Sequence, residues 1–186
     1  KEKFYGEYSY LKDKTIILFA PTFRGGGQRT AYYNYSKLDF KRIYDYCGND
    51  KCFLIKMHPF VIEDVEIPKE YESRIFNFKD YPNINDLYYI TDILITYYSS
   101  NYYEYALMNK PMLFYTYDRE IYELTRGVHR SVKENAPGKV CDTFDELMHA
   151  LENETYDFEK SVQFVKDQFG DYDGNAADRT IDLILK

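Results

Sequence analysis

The sequence contains no tryptophan, only three cysteines and three histidines, and no apolar run long enough to cross a bilayer. Each shortage excludes something. Cys47, Cys52 and Cys141 show no CxxC spacing, and an odd number of thiols in a chain this size fits free cysteines in a reducing compartment. The histidines lie far apart and form neither HExxH nor a finger pattern, so no metal site is read from them. The first residues, KEKFYGEY, are not a signal peptide. Positive charge is also short. With 24 Lys and Arg against 31 Asp and Glu the net charge is −7, which argues against a nucleic-acid partner bound by phosphate neutralisation. A local basic pocket for a small anion remains compatible with that balance.

What is present describes a soluble globular protein. Of 186 residues, 45% are hydrophobic and 30% charged, enough for one domain, or one and a small extension, with a real core. The 22 tyrosines and 13 phenylalanines fall mostly beside core positions and carry no functional weight as a total. Residues 1–14 show no clear period and read as a linker or as a segment that packs on something now absent. TIILFA (Thr15–Ala20), CFLIKM (Cys52–Met57), RIFNF (Arg74–Phe78), DILIT (Asp92–Thr96) and PMLFY (Pro111–Tyr115) read as strands, with a very short sixth opening at Val140. Between them lie helical patterns over Leu38–Cys47, Ile84–Ile90, about Asn101–Met108 and a short turn over Asp118–Thr125. Residues 126–138 read as a loop. A T-x-x-E capping box at Thr143 opens a helix to about Glu152, and helices over about Asp157–Phe169 and Ala176–Leu185 follow, separated by GDYDGN. The alternation predicts an open, mostly parallel α/β sheet with helices on both faces, a Rossmann-like architecture.

Ligands of such sheets lie outside the carboxyl ends of the strands. Arg24 follows the first strand in a Gly-rich, basic loop, PTFRGGGQRT, which is neither a P-loop nor a dinucleotide fingerprint. His58 follows the second strand, fixed by Pro59. Ser99 and Ser100 sit in the turn between the fourth strand and a helix, where free N–H groups and the helix dipole favour an anion. Asp118 ends the fifth strand. Each has a plainer alternative: a helix cap for the serines, a surface loop for Arg24, a backbone-bonded strand-end residue for His58. Their convergence on one sheet edge favours a phosphate site.

The strings ILFAPTFRG, KMHP, DILITYYSS, YALMNKPMLFY, the Arg126-Gly127 pair, ENAPG, TFDEL and DGNAADR, in this order over nearly the whole chain, resemble the CDP-glycerol glycerophosphotransferases, the teichoic-acid polymerases and primases of Gram-positive bacteria. The resemblance implies a GT-B-type enzyme of two Rossmann-like halves. This chain would be the C-terminal, nucleotide-binding half, with residues 1–14 as inter-domain tail and 15–186 as the CDP-polyol-binding domain. The N-terminal half would bring the polyol-phosphate polymer acceptor. By the same resemblance, His58 and Arg24 would face the pyrophosphate of CDP-glycerol, His58 being the catalytic candidate. Ser99 and Ser100 would bind phosphate, Arg126 would fall in an RG motif, and Asp173 and Gly174 would line the donor site. Glu104 stands where the family usually carries Asp, Tyr97 replaces the Asp of a TDYSS string, and Ser131 stands where Asp is expected.

The resemblance further implies transfer of a polyol phosphate from CDP-glycerol, CDP-ribitol or another CDP-polyol, with no cofactor. It implies work at the cytoplasmic face of the membrane, with peripheral attachment through the other half. Two rival readings share the fold: a nucleotide-sugar glycosyltransferase or epimerase, and a nucleotide-binding module that has lost activity.

Overall fold

A computed structural model describes residues 1–127, 130–170 and 173–185. Parts of the expected 126–138 loop and of the GDYDGN break lie outside the described residues. Six strands occur among the described residues: β1 (Thr15–Phe19), β2 (Lys51–Ile55), β3 (Ile75–Asn77), β4 (Ile93–Thr96), β5 (Met112–Tyr115) and β6 (Lys139–Cys141). They form one sheet in the order β3-β2-β1-β4-β5-β6, parallel at every pairing.

The strands are buried on both faces, which is why they read as continuous apolar runs. Successive residues alternate between two cores. Ile17, Phe19, Phe53, Ile55, Ile93, Ile95, Leu113 and Tyr115 face one side, where α2 (Phe40–Cys47) and α7 (Phe144–Glu152) cover them. Ile16, Leu18, Leu54, Leu94, Met112 and Phe114 face the other. There they meet residues of α1 (Glu2–Glu7), α3 (Ile84–Tyr88), α4 (Asn101–Ala106), α6 (Val132–Asn135) and α8 (Phe158–Phe169). Helices α5 (Arg119–Arg126) and α9 (Ala176–Ile184) complete the described elements. All three cysteines are buried and unpaired.

Two segments differ from expectation. Residues 1–14 contain a helix and a 3-10 turn packed on the sheet; Leu11 is fully buried, and Phe4 contacts Phe78 and Tyr81. The segment is too short to show a helical period, so its aromatic anchors gave no pattern to read. Within 126–138, α5 continues to Arg126 and Val132–Asn135 forms the single turn α6, burying Val132.

Helix α7 starts where the sequence places it. Thr143 Oγ1 accepts from Glu146 N at 3.1 Å, and Glu146 Oε2 accepts in return from Thr143 N at 3.2 Å and from Asp142 N at 2.7 Å. Losing the threonine oxygen leaves an end N–H without its side-chain acceptor. Thr143→Ala should therefore cost about 1 kcal/mol, read as a melting temperature lower by roughly 2–4 °C for a domain of this size.

Candidate functional site

The sheet order reverses at β1, which pairs with β2 on one side and β4 on the other. The chain leaves β2 and β4 on opposite sides of β1, so a crevice opens beyond their carboxyl ends. Its floor is fixed at Ala20. Asn101 Nδ2 donates to the Ala20 carbonyl at 2.9 Å, and Thr96 Oγ1 lies 2.9 Å from that oxygen and 2.9 Å from Asn101 Oδ1. Asn101 thereby ties the start of α4 to the end of β1.

The cleft has a volume of about 280 Å³. His58, Ser99, Ser100 and Glu104 line it, as the sequence anticipates, together with Lys56, Asn85, Tyr88 and Asn101. Pro21, Met57, Pro82 and Ile84 add apolar wall. A larger groove of about 700 Å³ lies between the N-terminal segment and the β3–α3 connection, and contains none of the residues singled out from the sequence.

His58 is half-buried between Phe23 and Phe60, with ring centroids 4.8 and 4.7 Å away. Its Nδ1 accepts from Phe60 N at 3.1 Å. Burial, then the charge of Lys56, hold its pKa below the ordinary 6.5, favouring the neutral ring. With Nδ1 occupied as an acceptor, the proton of that neutral ring belongs on Nε2, which leaves His58 a hydrogen-bond donor.

The serine turn is built by a residue in an uncommon conformation. Tyr98 has φ +47°, in the left-handed region that non-glycine residues seldom occupy. Stacking on Tyr122 at 4.3 Å and a hydroxyl bond to Glu123 hold it there. Ser100 is the residue at the N-cap of α4, yet its side chain makes no cap hydrogen bond, and Ser99 Oγ lies 3.5 Å from Asn101 N. The plainer alternative, serines serving as caps, is thus not met by Ser100 and is met by Ser99 only through a long bond, which Asn101 N donates to its Oγ.

Arg24 differs from expectation. It lies outside the cleft lining, 7% exposed, and its guanidinium is closed on Asp118: Nε to Oδ2 at 2.5 Å and Nη2 to Oδ1 at 2.8 Å. Tyr97 and Tyr122 each lie 4.7 Å from the guanidinium carbon and Tyr117 lies 5.5 Å away. Tyr97, fully buried, thus stands in a wall of the arginine box, and the acid at this corner comes from Asp118. Arg126 is exposed, donates to the Gly25 carbonyl at 2.8 Å, and lies 5.2 Å from the Phe23 ring. Gly25, at φ +99°, is the glycine this loop requires: a Cβ there would sit 1.9 Å from the Thr30 carbonyl oxygen. The loop is closed by an antiparallel bridge between Arg24 and Tyr32. Asp173 pairs with Arg179 at 2.6 Å, and both Asp173 and Gly174 are exposed and outside the cleft lining. Ser131 is the N-cap residue of α6, without a side-chain cap bond.

Lys56 and Asn101 escaped sequence reasoning. Lys56 lies in the KMHP string two positions before His58, and the period-2 alternation of an extended chain would have placed both on one side. Asn101 carries no comparable signal, because the bond that places it, to the Ala20 carbonyl, spans 81 residues. Among the described residues no group of three His, Cys, Asp or Glu could hold a metal ion.

Fold and cleft together define a Rossmann-like α/β domain with a crevice at the switch point. Residues 1–186 match the model of the CDP-Glycerol:Poly(glycerophosphate) glycerophosphotransferases, and the chain belongs to that family. It is 44% identical to the teichoic acid poly(ribitol-phosphate) polymerase of Bacillus spizizenii, covering 100% of this chain and 30% of the relative. It is 42% identical to the teichoic acid ribitol-phosphate polymerase TarL of Staphylococcus aureus, covering 97% and 32%. The chain thus spans about a third of the length of these relatives. Among solved structures, a variant of the wall teichoic acid polymerase TagF soaked with CDPG matches with a TM-score of 0.75 at 26% identity, over 99% of this chain and 46% of that one. A putative UDP-N-acetylglucosamine 2-epimerase from Listeria monocytogenes shares the fold, at 16% identity and TM-score 0.54 over 95% and 46%.

Removing one partner of the Arg24–Asp118 pair would strand the other charge in a buried aromatic box. Arg24→Ala or Asp118→Ala should lower unfolding free energy by about 3–5 kcal/mol, whereas a volume-matched apolar pair at both positions should recover most of it. Denaturant titration of the three variants checks this. Histidine NMR gives a second test: His58 should titrate below 6.5. Because its folded pKa is depressed, this contribution favours the fold above about pH 6.5 and is lost as pH falls through that value toward the folded midpoint.

Proposed function

We propose that this chain is the donor-binding part of a CDP-polyol polyolphosphotransferase, with CDP-ribitol as the favoured donor. The observation that carries the reading is the switch-point cleft, which gathers His58, Ser99, Ser100 and Glu104 in one crevice of a chain belonging to this family. The choice of ribitol rests on similarity: ribitol-phosphate polymerases match at 42–44% identity, glycerol-phosphate polymerases and primases at 29–35%.

In the proposed reaction a hydroxyl oxygen of the acceptor attacks the β-phosphorus of the donor. The bond from that phosphorus to the bridging oxygen breaks, CMP leaves with the electron pair, and the hydroxyl proton passes to a base contributed outside this chain. The cleft must then stabilise negative charge that grows on the leaving phosphate. The Ser99 and Ser100 hydroxyls and the Nε2–H of neutral His58 are donors suited to that task. Glu104 is an acceptor and repels phosphate, so it suits hydroxyls of the donor's ribose. Acceptor binding and membrane attachment belong, in this reading, to sequence beyond this domain; among the described residues no helix is long and apolar enough to cross a membrane.

Calorimetric titration with CDP-ribitol, CDP-glycerol and a UDP-sugar tests the donor class. CDP-ribitol should bind, CDP-glycerol more weakly, and the UDP-sugar not measurably; tight UDP-sugar binding without a CDP response would overturn the reading. In the full-length protein, His58→Ala should reduce polyol-phosphate transfer by about 10²–10³-fold, the usual effect of losing one transition-state donor. Unchanged transfer would remove His58 from the mechanism.

A further inference from the structure

The geometry assigns Lys56 as the cation that meets the donor's diphosphate, an inference that rests on the cleft being a CDP-donor site. An anionic ligand in this crevice needs a positive charge, and most obvious sources are committed elsewhere. Arg24 is closed on Asp118 outside the cleft lining. Arg126 is exposed and bonded to the Gly25 carbonyl, also outside the lining. His58 is held toward its neutral form. Among the described residues that line the cleft, Lys56 is the one lysine or arginine.

Its position is built in. Lys56 follows β2 directly, and its backbone N–H donates to the Phe19 carbonyl at 2.9 Å, continuing the ladder with β1. The residue is 8% exposed, yet among the described residues no carboxylate lies within ion-pair distance of it. The ammonium donates to the Lys79 carbonyl, a neutral acceptor. An ammonium carries three donors, so two remain. A buried cation with neither counter-ion nor full hydrogen bonding is unfavourable by itself. Burial accordingly lowers its pKa, with only the charge of Asp80 acting the other way. A phosphate group entering the cleft would supply both the missing charge and acceptors for the remaining N–H groups.

The test separates charge from shape by using three ligands: CDP-ribitol, CDP and cytidine, titrated into the full chain and into Lys56→Met and Lys56→Arg. Methionine keeps the apolar stem and removes the charge. Lys56→Met should lose at least tenfold in affinity for CDP and CDP-ribitol while cytidine binding is unchanged, and Lys56→Arg should restore part of the loss. A purely structural role for Lys56 would weaken all three ligands together, and that result overturns the assignment. Equal binding of all three ligands by the wild type and Lys56→Met also overturns it, while leaving the donor reading intact. Failure of the wild type to bind any of the three would defeat the donor reading and this inference with it. Should the variants not fold, the wild type still decides: the ¹⁵N resonance of the Lys56 ammonium should shift with CDP and not with cytidine, and an unmoved resonance under saturating CDP overturns the proposal.

Discussion

The bidentate bond between Arg24 and Asp118 joins the loop after β1 to the start of α5. Arg24 lies in the connection from β1 to α2, which has only 3-10 turns and one bridge for regular structure. Asp118 opens α5 beyond β5. Two N–H groups of one planar fork meet two oxygens of one carboxylate, so the pair fixes orientation as well as distance. Three tyrosine rings exclude water around it, and in that setting neither charge is tolerable without the other. The consequences reach the cleft indirectly. Phe23, next to Arg24, packs on His58, and Gly25, on its other side, receives Arg126. A rigid pair outside the crevice thus sets the position of groups at its rim.

The sheet supplies the complementary constraint. A strand flanked by β2 and β4 cannot have both of their following segments leave on the same side, and the space between them is where a ligand fits. Local chemistry decides what that space offers. Ala20's carbonyl receives Asn101, so α4 begins at the crevice wall; Tyr98 takes a left-handed conformation, so Ser99 and Ser100 are delivered there, Ser100 without a side-chain cap bond and Ser99 with only a long one from Asn101 N. A conformation with a local energy cost persists because the stack with Tyr122 and the bond to Glu123 over-determine it.

Most of the fold was legible because buried parallel strands and capped helices leave strong local signals. TIILF, KCFLI and ILIT are short apolar runs with polar boundaries, and T-x-x-E marks the start of α7. The site was legible only in part, and the division is physical. Residues three positions past a strand end, such as His58 after β2 and Ser99 after β4, inherit their location from the sheet. Arg24 has the same inheritance, but its side chain is long and its partner, Asp118, lies 94 positions away, so its address was legible and its direction was not. Asp173 illustrates the other limit: Arg179, six residues on, satisfies it locally, and nothing in the string DGNAADR distinguishes such a pair from a ligand contact. Residues 1–14 were missed because a single short helix anchored by Phe4 and Leu11 has no period.

On the proposed reading, the cleft's charge distribution would order a bound donor along its length. One carboxylate, Glu104, lines the same wall as the donors and lies one helical turn beyond Ser100 on α4. A diphosphate placed beside Glu104 would meet like charge in a partly desolvated crevice, where repulsion is stronger than in bulk water. Placed by Lys56, His58 and the serine turn, it would meet donors from two segments, those that follow β2 and β4. The arrangement that avoids repulsion therefore puts phosphates toward the strand ends and hydroxyl-bearing sugar toward Glu104, with Asn85 and the apolar wall of Pro82, Ile84 and Tyr88 left for the base. On the proposed donor reading the acid is a directional element: it would make one of the two end-to-end orientations unfavourable, so a small crevice would specify both what binds and which way round it lies.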